Sequence, residues 1–137
     1  MKQTLVAVAA FALMGAVFAG VSMAAGPVTA QAPNARLALV VDGGSTNGSF
    51  TVLRKKGVAS VANPYVGVFC VTPSATLALG RIVPMVGVDL GGSPFADSGA
   101  AWNRQLVYCP PGTIEVETFQ VSTGAHRNDV GFTLTVF

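Results

Sequence analysis

Short runs of alternating apolar and polar residues, broken every few positions by Gly, Pro, Asn or Ser, constrain the fold of this chain more than any other feature. A period of two turns one face of an extended strand toward the core and the other toward water. In Gly131–Phe137, for example, Phe132, Leu134 and Val136 alternate with threonines. No convincing helix is found beyond residue 30, so the sequence predicts an all-β fold.

Eight segments carry this strand pattern. They are Arg36–Val41, Phe50–Arg54, Val58–Val61, Tyr65–Val71, Arg81–Asp89, Arg104–Cys109, Ile114–Val121 and Gly131–Phe137. Seven or eight short strands separated by turn residues are typical of an antiparallel β-sandwich. We therefore predict one sandwich domain over residues 31–137, which is long enough for one core and too short for two.

Several positions predict finer details of the sandwich. Tyr65–Val71 is apolar on both faces, so we expect it near the centre of a sheet. Pro84 lacks a backbone donor, which indicates an edge strand or a bulge. The apolar phase changes after Thr118 and predicts a β-bulge there. The longest irregular segment, Leu90–Asn103, is where we expect a binding loop.

The first 30 residues have the composition of a secretory leader. Lys2 precedes an uncharged, mostly apolar stretch that ends in small residues, which is the order of regions in a signal peptide. Cleavage after Ala24 or after Ala30 fits the small-residue rule, and we favour Ala30. The alternative is an uncleaved anchor, since the segment is nominally long enough to cross a bilayer. The sequence thus predicts a signal peptide over residues 1–30 and a bacterial protein that is periplasmic or secreted to the outside.

The charge balance disfavours one class of partner. The chain carries 8 Lys and Arg against 6 Asp and Glu, and removal of Lys2 with the leader makes it almost neutral. Binding driven by nucleic-acid phosphates needs many clustered cations. We therefore expect no nucleic-acid partner, and no membrane insertion after the leader is cleaved.

The only two cysteines, Cys70 and Cys109, both lie in the predicted exported domain. An oxidising compartment favours their pairing, so we predict a structural disulfide. The alternative is a reactive thiol or a metal pair. Two cysteines and the single histidine, His126, do not complete a zinc site at this spacing, so the sequence predicts no metal site and no cofactor.

Three residues are the candidates for catalysis. Glu115 and Glu117 lie two positions apart on one strand face, a separation of about 7 Å, and paired carboxylates serve glycoside hydrolysis. Both alternate with apolar neighbours, which favours the simpler prediction that both face solvent. We likewise interpret His126, in a polar loop, as solvated. The protein is therefore predicted not to be an enzyme, the alternative being a hydrolase that uses His126 with Glu115 or Glu117.

Two local features are candidates for binding. Arg54, Lys55 and Lys56 form a cationic cluster that we place in a tight turn closed by a glycine, and such a turn could contact an anionic polymer. Trp102 and Asn103 end the predicted loop, where an aromatic ring offers a large contact area. The alternatives are a solvated turn and a tryptophan folded back on the sandwich.

Four strings in the chain resemble a recurrent pattern of small exported bacterial β-sandwich modules: LRKKGVASV, YVGVFCV, CPPGTIEVETF and VGFTLTVF. Such modules occur alone behind a signal peptide or, in related form, at the ends of collagen-like or phage-fibre-like chains. The resemblance covers about Leu37 to Phe137 and implies the fold, but no activity and no site residues.

Together these features predict a secreted non-catalytic binding module. Its partner would be a glycan, an envelope component or a protein. The alternative is a structural domain that assembles in an envelope or fibre. The oligomeric state stays open.

Overall fold

A computed structural model of the chain describes residues 28–29, 33–44, 49–93 and 96–137. Within these ranges the fold is all-β, apart from two 3-10 turns at Leu79–Arg81 and Leu90–Gly92. The strands are β1 (Val28–Thr29), β2 (Leu37–Asp42), β3 (Thr51–Lys56), β4 (Val58–Tyr65), β5 (Val68–Pro73), β6 (Met85–Asp89), β7 (Ser98–Asn103), β8 (Ile114–Gln120) and β9 (Gly131–Val136).

The strands form two sheets, with the orders β1-β3-β2-β9-β6 and β4-β5-β8-β7. The eight strands from β2 to β9 pair in antiparallel fashion, and the two-residue β1 pairs in parallel with β3. The predicted antiparallel sandwich is therefore confirmed.

The predicted alternation produces the core between the sheets. Eleven buried apolar residues make one cluster: Leu37, Leu39, Val41, Val58, Phe69, Val71, Ile114, Val116, Phe132, Leu134 and Val136. The Phe69 ring lies at its centre, 5.1 Å from the Phe132 ring and 5.4 Å from the Phe50 ring between centroids. β5 is flanked by β4 and β8 and is buried from Val68 to Val71, which confirms the central position predicted for this part of Tyr65–Val71. The first part of that prediction is wrong, because Tyr65 ends β4 and Val66 lies in the exposed turn between the two strands.

One predicted strand is wrong. Arg104–Cys109 belongs to the irregular loop between β7 and β8, whereas β7 lies inside Leu90–Asn103, which was predicted to be a loop. β7 begins with small residues because the Phe119 ring of β8 covers Gly99: a Cβ atom there would lie 2.4 Å from Phe119 Cε2. Close approach of the Phe119 ring, rather than apolar alternation, selects glycine at this position.

The predicted bulge after Thr118 is also wrong. β8 pairs with β7 from Glu115 to Gln120 without a shift in register. Thr118 occupies a buried position, where its hydroxyl donates to the Arg127 carbonyl, and Phe119 occupies the opposite face. The change in the apolar pattern therefore marks a polar residue whose hydroxyl is hydrogen-bonded inside the core, and not a bulge. The register shifts lie elsewhere, between β2 and β3 and between β4 and β5. Pro84 directly precedes β6, an edge strand as predicted.

The predicted leader lies outside the described residues except for Val28–Thr29. This β1 segment pairs with Arg54 and Lys55 of β3. Cleavage after Ala24 would leave β1 in the mature chain, and cleavage after Ala30 would remove it. No helix in the described part of the chain is long and apolar enough to cross a bilayer.

Two carboxylates hold the turn between β8 and β9. Asp97 accepts hydrogen bonds from the Ser122 hydroxyl and backbone amide, and the first of these is the main reason that its pKa is lowered. Asp129 is bonded by Arg127 through two contacts of 2.6 and 2.9 Å, and this bonding lowers the Asp129 pKa. Both side chains therefore favour the fold in their ionised form.

We expect stability to fall on acidification. A carboxyl whose pKa is lowered by folding stabilises the protein above its unfolded pKa, about 3.9 for Asp. That contribution is lost as the pH falls through the lower folded value. Thermal unfolding between pH 7 and pH 2 should show a smaller acid-induced fall in Tm for Asp129→Asn and Ser122→Ala than for the wild type. Parallel curves for all three proteins would contradict the assignment.

Candidate functional site

A polar network covers the outer face of the second sheet. Glu115 and Glu117 occupy successive outer positions of β8, and Asn103 of β7 is paired with Glu115. The Asn103 amide nitrogen donates to Oε1 of both carboxylates, at 2.9 Å to Glu115 and 2.7 Å to Glu117. This amide therefore holds the two carboxyl groups side by side.

The two carboxylates differ sharply in exposure. Glu115 is 0% exposed, and its Oε2 accepts the backbone amides of Tyr108 and Cys109, both at 2.8 Å. The prediction that it faces solvent is wrong because the loop between β7 and β8 folds back over the outer face of β8. The Glu117 side chain is 22% exposed and is the carboxylate that a ligand can reach.

The predicted disulfide between Cys70 and Cys109 is confirmed. It ties the loop after β7 to the central strand β5, so that the two backbone amides at residues 108 and 109 stay over Glu115. Leu106 in the same loop has φ of 50°, a left-handed conformation that a branched apolar residue rarely adopts. The bond and the buried carboxylate thus hold the loop in an unusual path.

That path brings the only two tyrosines of the chain together. The Tyr65 and Tyr108 rings lie 5.5 Å apart between centroids, although these residues are 59% and 45% exposed. The His126 ring stands edge-on to Tyr108 at 6.4 Å, and its Nε2 lies 3.6 Å from Glu117 Oε2. We call this set, Tyr65, Asn103, Tyr108, Glu117 and His126, the tyrosine–histidine surface.

His126 is more constrained than the sequence predicted. Its backbone forms an isolated bridge with Phe119 of β8, and its side chain is only partly exposed. Beside it lies an open cavity of about 210 Å³, lined by Val66 and by the consecutive residues from Ala125 to Asp129. The loop before β9 therefore adds a cleft to one end of the tyrosine–histidine surface.

The binding residues predicted from sequence fall into three places. Asn103 belongs to the tyrosine–histidine surface, whereas Trp102 points to the opposite face of β7 and packs against the core. Arg54–Lys56 lies in β3, and the predicted turn is instead a crossover from the first sheet to the second at Gly57. β3 lies near the β1 edge of its sheet, and β7 packs beside β6 at the other edge. The cationic cluster and Trp102 are therefore not parts of one site.

Sequence reasoning missed Tyr65 and Tyr108. Tyr65 ends β4 just before the Gly67 turn, and Tyr108 is the residue before Cys109. The one usable signal was that Tyr108 adjoins a cysteine predicted to be cross-linked, which fixes its backbone. Nothing local indicates that the two rings meet across two loops.

Metal ligation finds no support in the part of the chain that the structure describes. No three His, Cys, Asp or Glu side chains there are grouped so that they could hold an ion. The Asn103 amide, a donor, occupies the space between the two carboxylates.

Comparison of the chain with protein-family models, with curated proteins and with solved structures finds no match. The resemblance to small exported bacterial β domains therefore stays a prediction.

Proposed function

We propose that this protein is an exported, non-catalytic binding module that holds a saccharide on the tyrosine–histidine surface. The observation that carries the proposal is the exposed pair of tyrosine rings beside a reachable, hydrogen-bonded carboxylate. Exposed aromatic rings held in contact offer a rigid apolar platform with polar tips. The disulfide and the leader-like first 30 residues support export, since disulfides persist in oxidising compartments.

Sugars match this surface in two ways. The carbon-bound hydrogens of a pyranose ring can pack on the faces of Tyr65 and Tyr108. Its hydroxyl groups can donate to Glu117 and exchange hydrogen bonds with His126 and the tyrosine hydroxyls. The five residues include a carboxylate and no Lys or Arg, so the surface favours neutral sugars or amino sugars over anionic ones.

The buried state of Glu115 supports a binding role over a hydrolytic one. Glycoside hydrolysis uses two carboxylates that both reach the scissile bond. Here Glu115 is enclosed and its oxygens accept three hydrogen bonds from the protein, so Glu117 and His126 would have to act without it. Both cysteines are in the disulfide and supply no thiol nucleophile.

Retention on insoluble polysaccharides tests the proposal. We expect the purified exported domain to bind at least one of chitin, cellulose and peptidoglycan sacculi. Tyr108→Ala and Glu117→Gln should each weaken that binding about tenfold or more, as expected for loss of a stacking ring or of a charged acceptor.

Phe137→Ala is the matched control, because Phe137 is an exposed aromatic residue that directly follows β9 of the first sheet. This variant should bind like the wild type. The proposal fails if no polysaccharide retains the wild type, or if Tyr108→Ala and Phe137→Ala bind equally well.

A further inference from the structure

A second, smaller cavity opens between the β7–β8 pair and the segment that connects β5 to β6. It has a volume of about 130 Å³ and lies where the 3-10 turn Leu79–Arg81 approaches the end of β7. Its walls are mainly apolar and include Leu79, Pro84, Trp102 and Ile114. Because Trp102 and Asn103 point to opposite faces of β7, this cavity is separate from the tyrosine–histidine surface.

Trp102 forms one wall of this cavity. It is paired with Val116 of β8 and packs against the main core cluster, so the indole is fixed by its neighbours while the ring still borders the cavity. A fixed aromatic wall is typical of small-ligand sites, which are mostly apolar with a few placed polar groups. Trp102 is also the only tryptophan of the chain, so the tryptophan fluorescence of the protein comes from a wall of this cavity.

The mouth of the cavity carries a cation. Arg104 lines the cavity and is exposed to solvent, and it takes part in neither the His126–Glu117 nor the Arg127–Asp129 ion pair. Arg81 ends the adjacent 3-10 turn and is exposed as well. The other lining residues are uncharged, so the cavity combines mainly apolar walls with the Arg104 cation.

We propose that this cavity binds a small carboxylate whose apolar body is about the size of one six-membered ring. The cavity volume limits the size of the ligand's apolar body, because an apolar cavity of about 150 Å³ accommodates benzene. The Arg104 charge determines the ligand's polar group, because a guanidinium binds a carboxylate through two parallel hydrogen bonds. The ligand's ring lies against Trp102 and its carboxylate meets Arg104.

Titration of Trp102 fluorescence with phenylacetate tests this assignment. We expect a saturable change in the wild type. Binding of phenylacetamide, which has the same ring without the charge, should be at least tenfold weaker. Arg104→Gln should weaken phenylacetate binding by a similar factor, whereas Arg54→Gln, which removes an exposed cation on the first sheet, should leave it unchanged.

Each possible result of this titration either supports or overturns the proposal. A response to the acid that neither amidation nor Arg104→Gln weakens would overturn the carboxylate assignment, and the lack of any saturable response would overturn the site. Far-ultraviolet circular dichroism checks that Arg104→Gln is folded. Tyr108→Ala should leave phenylacetate binding intact, so failure of the saccharide proposal and failure of this one are distinguishable.

Discussion

Removal of the disulfide, in a Cys70→Ala/Cys109→Ala variant, should lower the free energy of unfolding by about 4 kcal/mol. The bond joins residues 39 apart in sequence, and closing a loop of that length restricts the unfolded chain considerably. Both sulfur-bearing residues are buried, so alanine is preferable to serine, which would place a hydroxyl in an apolar site. Urea unfolding of the oxidised wild type and the variant measures the difference.

Reduced wild-type protein is the control for this prediction. Its free energy of unfolding should match that of the variant, and reductant should have no effect on the variant itself. A difference below about 1 kcal/mol between oxidised and reduced protein would show that the bond constrains little. Binding to polysaccharide should weaken in parallel, because Tyr108 adjoins Cys109 and depends on the loop's position.

The strands that sequence predicted correctly are those whose faces have contrasting chemistry. In β9, Phe132, Leu134 and Val136 are all buried in the core, and Thr133 between them is exposed. Period-two reasoning finds such strands because burial of one face is the physical cause of the pattern. The disulfide was predictable for a different reason: the chain has two cysteines, so only one pairing exists.

β7 escaped prediction because its residues are selected by a neighbour. The Phe119 ring occupies the space that a side chain at Gly99 would need, so this edge strand has the composition of a loop. Thr118 is a similar case: it is buried among apolar residues because its hydroxyl donates a hydrogen bond to the Arg127 carbonyl. Both cases depend on contacts with another strand or loop, which local periodicity does not contain.

The candidate site was harder to predict than the fold. Arg54–Lys56 is visible in the sequence because its charges are adjacent, whereas the tyrosine–histidine surface is assembled from β4, two loops, β7 and β8. The prediction that Glu115 faces solvent is wrong because alternation indicates only which face of a strand a residue lies on. It does not indicate that a loop will cover that face.

That covering makes a strong prediction about Glu115. Glu115→Ala should lower the free energy of unfolding by about 3 kcal/mol, because the Tyr108 and Cys109 backbone amides and one Asn103 donor would lose their acceptor in a buried site. Glu117→Ala, at the partly exposed position two residues on, should cost less than about 1 kcal/mol. Equal effects of the two substitutions would contradict the contrast in their environments.

A double-mutant cycle links Glu115 to the disulfide. Both hold the same loop, so without the bond the loop can move away and let its amides reach water. Glu115→Ala should therefore cost less in the Cys70→Ala/Cys109→Ala background than in the wild type, by about 1 kcal/mol or more. Strict additivity would mean that the carboxylate and the bond stabilise separate parts of the fold.

Glu115→Gln keeps one acceptor oxygen and should give an intermediate loss, which would identify hydrogen bonding to the loop as the source of the effect.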